Sequence, residues 1–283
     1  MAIVDHIIMA VSDLEKTATE YALMLGRAPS WQGTHPDYGS ANVLFRLENC
    51  YLELLAADGE GWAADLVNRM IAKQGEGLCA LVFGTDDVEG FLDQARANGL
   101  EASDPTPGHG VDIHIGATRS WRNMHWAESA ARGIFSFCIQ HDDNDALPLA
   151  EINGDGAVTA VDHVVVQTKS ADAAKRFYGA QLGIRLALEQ DVPQWGGTQL
   201  FFRTNSMSVE VLATPKADDE DRLWGLALKT DNIVATQKRL SEAGIDVSDV
   251  REGRKPGTKV CTVKSHCAQV ATLLIEHPKK KDG

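Results

Sequence analysis

The sequence predicts an α+β protein built from four βαβββ units in two tandem domains. Two internal matches carry this prediction. Residues 1–57 align without a gap on residues 158–214, and residues 78–104 align on residues 223–249. Because self-similarity at a fixed spacing marks repeated structural units, each half of the chain is expected to hold two units.

The predicted domain boundaries follow from these matches. The Asp-, Asn-, Pro- and Gly-rich stretch 142–160 is typical of a linker. The first domain is predicted over residues 1–141, with units at 1–57 and 77–141, and the second over residues 161–278, with units at 161–214 and 222–278.

The first unit begins with an apolar run that predicts a strand over residues 3–11. Ser12 and Glu15 have the spacing of a capping box, so a helix is expected to begin there. That helix has an apolar stripe at helical spacing, Leu14, Ala18, Tyr21 and Leu25, and ends at Gly26. Two further strands are predicted over residues 43–47 and 51–56.

The second unit repeats this plan. A strand is predicted over residues 78–84, followed by a helix that Asp86 and Glu89 open and that Gly99 closes. Weaker strand patterns follow.

Composition excludes several classes of protein. The chain has 283 residues, 44% hydrophobic and 24% charged, with a net charge of -13. This charge disfavours binding to nucleic acid or to an anionic membrane. Since no run approaches the roughly 20 apolar residues of a membrane span, a cytoplasmic location and a small-molecule partner are expected.

The repeated unit, with Asp-His on its first strand and Glu on its fourth, resembles the vicinal oxygen chelate superfamily, which includes glyoxalase I, extradiol dioxygenases and methylmalonyl-CoA epimerase. Residues 33–42 and 51–55 look more narrowly like the glyoxalase-like domain. The resemblance implies curved mixed β-sheets, each formed by two units, that enclose a cup with a divalent metal on its floor.

The resemblance also implies a ligand set. His6 and Glu53 would hold one ion side by side, and His163 and Glu210 repeat the arrangement. Imidazole and carboxylate ligands suit Zn, Mn, Fe, Co or Ni without choosing among them.

The other ligand positions of the family fall at or beside residues that cannot bind a metal: Ala80, Phe137, Gly225 and Leu273. Three alternatives remain open. A residue near the end of the last strand reaches the cup (Gln140, His141, Glu276 or His277), the two odd-numbered units pair with each other, or the metal is absent.

The two glutamates need a partner wherever they are buried, because an unpaired buried carboxylate is costly. Arg46 and Arg203, each seven residues before its glutamate, are the competing partners. The predicted substrate-binding residues are these two arginines with His35, Asn42, Arg119, Arg122, Trp126 and Trp195.

The resemblance implies a metal-dependent lyase or isomerase acting on a small oxygenated molecule. The metal would polarise an oxygen, and Glu53 or Glu210 would move a proton on the adjacent carbon. A ring-cleaving dioxygenase and a non-catalytic small-molecule binding protein are the alternatives. A monomer and a homodimer are both compatible with the sequence.

Overall fold

Four βαβββ units in two tandem domains are present, which confirms the predicted fold class. The computed structural model describes residues 2–142, 147–194, 196–205 and 207–278. The first half contains β1 (Ile3–Ala10), α1 (Leu14–Leu25), β2 (Trp31–His35), β3 (Ser40–Arg46), β4 (Tyr51–Ala57), α2 (Trp62–Gln74), β5 (Gly77–Gly84), α3 (Val88–Ala97), β6 (Thr106–Asp112), β7 (Thr118–His125) and β8 (Phe135–His141).

The second half repeats these elements except for α2, and the helix of its third unit changes character. It contains β9 (Val158–Thr168), α4 (Ala171–Ala174) running into a π-helical segment (Lys175–Gln181), β10 (Arg185–Val192), β11 (Gly197–Arg203), β12 (Ser208–Ala213), β13 (Arg222–Thr230), α5 (Ile233–Glu242), β14 (Arg251–Glu252), β15 (Lys259–Val263) and β16 (Ala271–Glu276).

Two predicted helix starts are wrong by one residue. α1 is capped by Asp13, whose carboxylate accepts a 3.0 Å hydrogen bond from the Lys16 amide. The Ser12 hydroxyl bonds to Glu76 instead. α3 is capped by Asp87 rather than Asp86. In both cases the cap is the residue directly before the helix. Its backbone is extended or nearly extended, and its side chain accepts a hydrogen bond from the amide of the third helical residue.

The first half forms a closed eight-stranded barrel in the order β1-β4-β3-β2-β6-β7-β8-β5. It closes where Gly33 and Thr34 of β2 pair with Asp112 and Val111 of β6. A Cβ on Gly33 would lie 2.3 Å from Trp31 Nε1 and 2.8 Å from the Val111 carbonyl oxygen. Glycine is therefore needed for this close approach of two strands.

The second half forms an open eight-stranded sheet in the order β10-β11-β12-β9-β13-β16-β15-β14. In each half the first strand pairs antiparallel with the first strand of the following unit, β1 with β5 and β9 with β13. The alternative in which the two odd-numbered units pair is therefore wrong, because these strand edges are already occupied within each half.

α2 packs on the barrel and closes off its interior. Its residues Leu66, Val67 and Met70 form one apolar cluster with residues such as Ile8 of β1 and Ala80 of β5. None of the helices within the described ranges is both long and apolar enough to cross a membrane.

The two halves share a hydrophobic core and two reciprocal contacts. Asn49 accepts a hydrogen bond from the Val161 amide and donates one to the Val161 carbonyl, at 3.1 and 2.7 Å. Asn205 makes the same pair with Val4, both at 3.2 Å. Each domain therefore holds the first strand of the other through one side-chain amide.

Candidate functional site

A chain of three polar side chains lies inside the barrel. β1 and β4 are parallel neighbours in which Ile8 pairs with Glu53, so His6, two residues earlier, lies diagonally beside the glutamate. His6 Nε2 is 3.3 Å from Glu53 Oε2, and His6 Nδ1 is 2.7 Å from Asp5 Oδ1. The ring of Tyr51 stacks on His6, with centroids 4.6 Å apart.

Asp5 fixes the protonation of this chain. Burial disfavours its carboxylate, but hydrogen bonds to His141 and His6 outweigh burial and hold the pKa of Asp5 well below its usual range. The ionised carboxylate accepts the Nδ1–H of His6. Nε2 of the same ring then faces Glu53 Oε2.

Glu53 is held by a second donor rather than by an arginine. The Asn42 amide donates to Glu53 Oε1 at 2.8 Å, and Asn42 Oδ1 accepts from Trp31 Nε1 at 3.2 Å. Arg46 instead donates to the Leu47 carbonyl at 3.1 Å. The expected Arg46–Glu53 pair is therefore wrong.

His35 lies beside this group as a neutral ring. Burial lowers its pKa. Its Nδ1 is 2.9 Å from the Ser40 hydroxyl, and its Nε2 is 3.4 Å from the Asn42 amide nitrogen. The structure thus brings together His6, Glu53, His35 and Asn42 of the predicted residues.

β7 separates the residues of the predicted Arg/Trp run. Side chains alternate between the two faces of a strand, so Arg119 lines the barrel interior and Arg122 does not. Arg122 donates to Glu89 and, at 3.0 Å, to Gln140 on the outside. Trp126 is packed in the core against Phe83, with centroids 6.3 Å apart. Of these three predicted substrate-binding residues, Arg119 lines the cavity, and Arg122 and Trp126 do not.

The barrel interior contains a cavity of about 90 Å³. Its lining is aromatic and apolar around the polar chain: His6, Ile8, Trp31, His35, Tyr38, Ser40, Asn42, Leu44, Tyr51, Glu53, Leu55, Trp62, Ala63, Leu66, Gly110, Arg119, Trp121, Asn123, Phe135, Phe137, Ile139 and His141. An engineered cavity of about 150 Å³ holds benzene, so this one suits a molecule of only a few non-hydrogen atoms.

Two buried polar atoms of this lining have no hydrogen-bond partner in the described part of the chain, Asn123 Oδ1 and His141 Nδ1. The other nitrogen of His141 lies 3.2 Å from Asp5 Oδ1 and 3.2 Å from the Tyr51 hydroxyl. Leaving a buried polar atom unpaired is costly, so both atoms are candidate contacts for a polar ligand.

The second half repeats the chain. His163 lies between Asp162 at 2.8 Å and Glu210 at 3.0 Å. Burial opposes its charge, but hydrogen bonds to Asp162 and Glu210 outweigh burial and raise the pKa of His163 to about 9. Gln199 donates to Glu210, as Asn42 does to Glu53.

Arg203, the other predicted residue of this half within the described ranges, does not join the group. Arg203 donates to the Ser208 hydroxyl at 3.3 Å, so the expected Arg203–Glu210 pair is wrong. Trp195 lies outside the described residues. Asp162, His163, Gln199 and Glu210 border a larger, open cleft of about 600 Å³.

The donor set does not fit a tightly held metal. Within the described residues, each half has one histidine in contact with a glutamate, His6 with Glu53 and His163 with Glu210, whereas catalytic metal sites usually have three protein ligands. Ala80 and Phe137 give the barrel only apolar surface, and His141 and His277 contact Asp5 and Asp162 instead. No group of three or more His, Cys, Asp or Glu able to hold a metal is present in residues 2–142, 147–194, 196–205 and 207–278.

Sequence reasoning missed part of this site. Tyr51, Trp121, Asn123 and the link from His141 to Asp5 were not predicted. The repeated Asp-His pair carried a usable signal for Asp5, since the aspartate recurs with the histidine in both halves. No sequence signal identified Asn123, because a single amide side chain in a predicted strand is not part of a recognisable motif.

Comparison with known proteins defines the class. The model of the glyoxalase-like domain family matches residues 4–159, more than half of the chain. A second model, described as the Glyoxalase/Bleomycin resistance protein/Dioxygenase superfamily, matches residues 162–262. The chain therefore belongs to the glyoxalase-like domain family, within the vicinal oxygen chelate superfamily.

Solved structures share the whole two-domain arrangement. A mutant of 4-hydroxymandelate synthase from Streptomyces coelicolor is similar at 16% identity with a TM-score of 0.71, covering 100% of this chain and 95% of that one. A hypothetical protein from Staphylococcus aureus is similar at 12% identity with a TM-score of 0.67, covering 98% and 100%. At these identities the similarity shows the fold alone. No curated protein sequence matches the chain significantly.

Proposed function

We propose that the chain is a small-molecule isomerase or lyase whose barrel cavity moves a proton on a carbon next to an oxygen-bearing group. The observation that carries this proposal is the 3.3 Å approach of His6 Nε2 to Glu53 Oε2 at the wall of the barrel cavity. A positioned acid–base pair contributes about 10²–10⁴-fold to such a reaction.

Each residue of the polar chain and its neighbours has one role in the proposed reaction. Asp5 and Tyr51 orient His6, and Asn42 orients Glu53. In its ionised state the Glu53 carboxylate takes a proton from a C–H bond of the substrate. The electron pair of that bond forms a C=C bond while the carbonyl π pair moves onto its oxygen, which gives an enediolate. The proton then returns to the former carbonyl carbon, and the proton of the substrate hydroxyl moves to the enediolate oxygen, which completes an isomerisation.

The unpaired atoms and the cavity volume set the class of substrate. Asn123 Oδ1 accepts a hydrogen bond from a substrate hydroxyl. The aromatic walls exclude water, and a volume of about 90 Å³ favours a hydroxyaldehyde or hydroxyketone of two or three carbons. Because the donor set does not fit a tightly held metal, no step is assigned to one.

The test is hydrogen exchange from such substrates in D₂O, with glycolaldehyde and hydroxyacetone as probes and proton NMR as the readout. We expect the protein to accelerate loss of the C–H signal next to the carbonyl. Glu53→Gln should slow this exchange at least 100-fold, since the amide keeps the shape and loses the base. Glu101→Gln, at an exposed position, is the matched control and should leave the rate unchanged.

The second candidate function is binding without turnover, which the closed barrel and the mainly apolar lining favour. It predicts that the probes shift the NMR signals of cavity residues while their C–H signals persist in D₂O. That outcome would replace the enzyme proposal with a binding one.

A further inference from the structure

The helix α2 covers the barrel cavity, and it has no counterpart among the described residues of the second half. Its residues Trp62, Ala63 and Leu66 form part of the cavity wall. The barrel cavity measures about 90 Å³, whereas the cleft of the second half, which lacks this helix, is open and measures about 600 Å³. The difference between two copies of one unit indicates that α2 restricts access to the cavity.

The face that α2 turns to the barrel is apolar. Leu66, Val67 and Met70 pack in one cluster with Ile8 of β1 and Leu55 of β4. Apolar contacts are not directional, and separating them leaves no polar group without a hydrogen-bond partner. This face of α2 can therefore leave the barrel without breaking a hydrogen bond.

The other end of the cavity is closed by polar contacts. The Tyr51 hydroxyl and Asp5 Oδ1 each lie 3.2 Å from His141 Nε2, and Asp5 Oδ1 also lies 2.7 Å from His6 Nδ1. Entry of a molecule at this end would break these hydrogen bonds, which is costly in a mainly buried setting. Of the two ends of the cavity, the end beneath α2 is the easier to open.

The connections of α2 to the barrel permit movement. Gly59 before the helix and Gly75 after it have positive φ angles of 98° and 81°. Glycine changes its backbone angles at little cost, as hinge segments must. At the first turn, the Tyr38 carbonyl accepts hydrogen bonds from the Ala63 and Ala64 amides, at 3.1 and 3.3 Å.

The outer side of α2 is held by two ion pairs between exposed side chains. Lys73 Nζ lies 2.5 Å from Glu220 Oε2, and Arg69 Nη2 lies 3.8 Å from Glu128 Oε1. All four side chains are more than half exposed, and exposed ion pairs stabilise a structure only weakly. A segment held by few hydrogen bonds and by exposed contacts belongs to the part of a fold that opens first.

We propose that α2 is a lid that opens in the folded protein and admits a small molecule to the barrel cavity between α2 and β4. The segments at Gly59 and Gly75 are the hinges. Lids of this kind shield a site from water and control entry and release. The proposal does not depend on the reaction assigned to the barrel, because a ligand that binds without turnover must enter by the same route.

The test measures how fast a thiol beneath α2 reacts with iodoacetamide in the folded protein. Leu55→Cys places this thiol on β4, at a position that is 8% exposed and lines the cavity. Tandem mass spectrometry of peptides separates its labelling from that of the native Cys50, which is 1% exposed. All further substitutions are made in this Leu55→Cys protein.

A pair of matched variants separates opening of the lid from global unfolding. Val67→Ala removes two buried methyl groups from the face of α2 and should speed labelling about tenfold. Val263→Ala, on β15 of the second half, removes the same groups at a position that is also 2% exposed. It should lower the stability of the protein without changing the rate of labelling. Equal acceleration by the two variants, or none by Val67→Ala, would overturn the proposal.

A charge exchange tests the outer contact independently. Lys73→Glu places two negative charges together and should speed labelling about two- to fivefold, and Lys73→Glu with Glu220→Lys should restore the original rate. Lys238→Glu, which breaks an exposed ion pair on α5, is the control and should have no effect. Acceleration by Lys238→Glu equal to that by Lys73→Glu would contradict a lid.

Hydrogen exchange of the unaltered chain gives a further check that requires no substitution. Amides of α2 should exchange at least tenfold faster than those of β1 and β4, because the lid opens while the barrel stays folded. Equal protection of α2 and of these two strands would overturn the proposal.

Discussion

His163 offers a quantitative test of the repeated polar chain. Its pKa of about 9 lies about 2.5 units above the usual value of 6.5, and each unit corresponds to about 1.4 kcal/mol. The ring therefore contributes about 3 kcal/mol of stability when it is charged. Since the folded pKa is raised, this contribution is fully present below pH 6.5 and is lost as the pH rises through about 9.

Replacing Glu210 with glutamine removes one of the two carboxylates that cause the shift. Asp162 remains at 2.8 Å, so the pKa of His163 should fall by about half of its shift and not to the usual value. The variant should be about 1–2 kcal/mol less stable than the wild type at pH 6, and the difference should shrink toward zero above pH 9.

Two measurements check this prediction. NMR of histidine-labelled protein gives the pKa of His163 directly, and urea unfolding at pH 6, 7.5 and 9.5 gives the free energy of unfolding. Glu252→Gln, at an exposed position on β14, serves as the control. A His163 pKa that stays near 9 in the Glu210 variant, or a stability difference that does not change with pH, would refute the reasoning.

Three further substitutions test the barrel and the core that the two halves share. Gly33→Ala places a methyl group against Trp31 at the closure of the barrel, and it should lower the free energy of unfolding by about 1–3 kcal/mol and speed amide exchange in β2. Asn42→Ala leaves the Glu53 carboxylate without its amide donor and should cost about 1–3 kcal/mol in urea unfolding, with partial recovery in Asn42→Asp only below the pKa of the new carboxyl group. Phe202→Ala removes a fully buried ring from the shared core and should cost about 3–5 kcal/mol, whereas Phe202→Leu should cost less than half of that.

The fold could be predicted because the sequence repeats, and the one helix that was not predicted, α2, lies where the repeat is irregular. The sequence shift between matching residues falls from 157 to 145, a difference of 12 residues, between the first and second units. This difference corresponds to α2, Trp62–Gln74, which has no counterpart in the second half. The drop in shift was thus a readable sign of an inserted element.

Closure of the barrel could not be predicted in the same way. Both halves repeat the same unit, yet β2 pairs with β6 in the first half while the second sheet stays open. The closure depends on the backbone approach at Gly33, and a single glycine in a strand pattern is also typical of a bulge or a bend.

The candidate site, like the fold, could be predicted only in part. His6 beside Glu53 followed from their positions in adjacent strands of the unit, which the repeat supports. The prediction that Arg122 and Trp126 line the cavity is wrong because the strand register could be predicted only to within one residue. A shift of one residue turns a side chain to the opposite face of the strand. Asn42 and Arg46 both lie two residues from Leu44, the β3 residue paired with Glu53, so register alone did not choose between them. In the structure Asn42 donates to Glu53, whereas Arg46 donates to the Leu47 carbonyl.

The reciprocal contacts of Asn49 and Asn205 give the chain the character of a dimer fused into one polypeptide. In an isologous dimer, residue i of one subunit contacts residue j of the other and the reverse also holds. The contacts of Asn49 with Val161 and of Asn205 with Val4 approach this relation, because Val4 matches Val161 and Asn205 lies one residue from the position that matches Asn49. Fusion makes this association intramolecular, so its strength does not depend on protein concentration. The two halves can therefore diverge into a closed barrel and an open cleft, since neither has to remain identical to its partner to preserve the assembly.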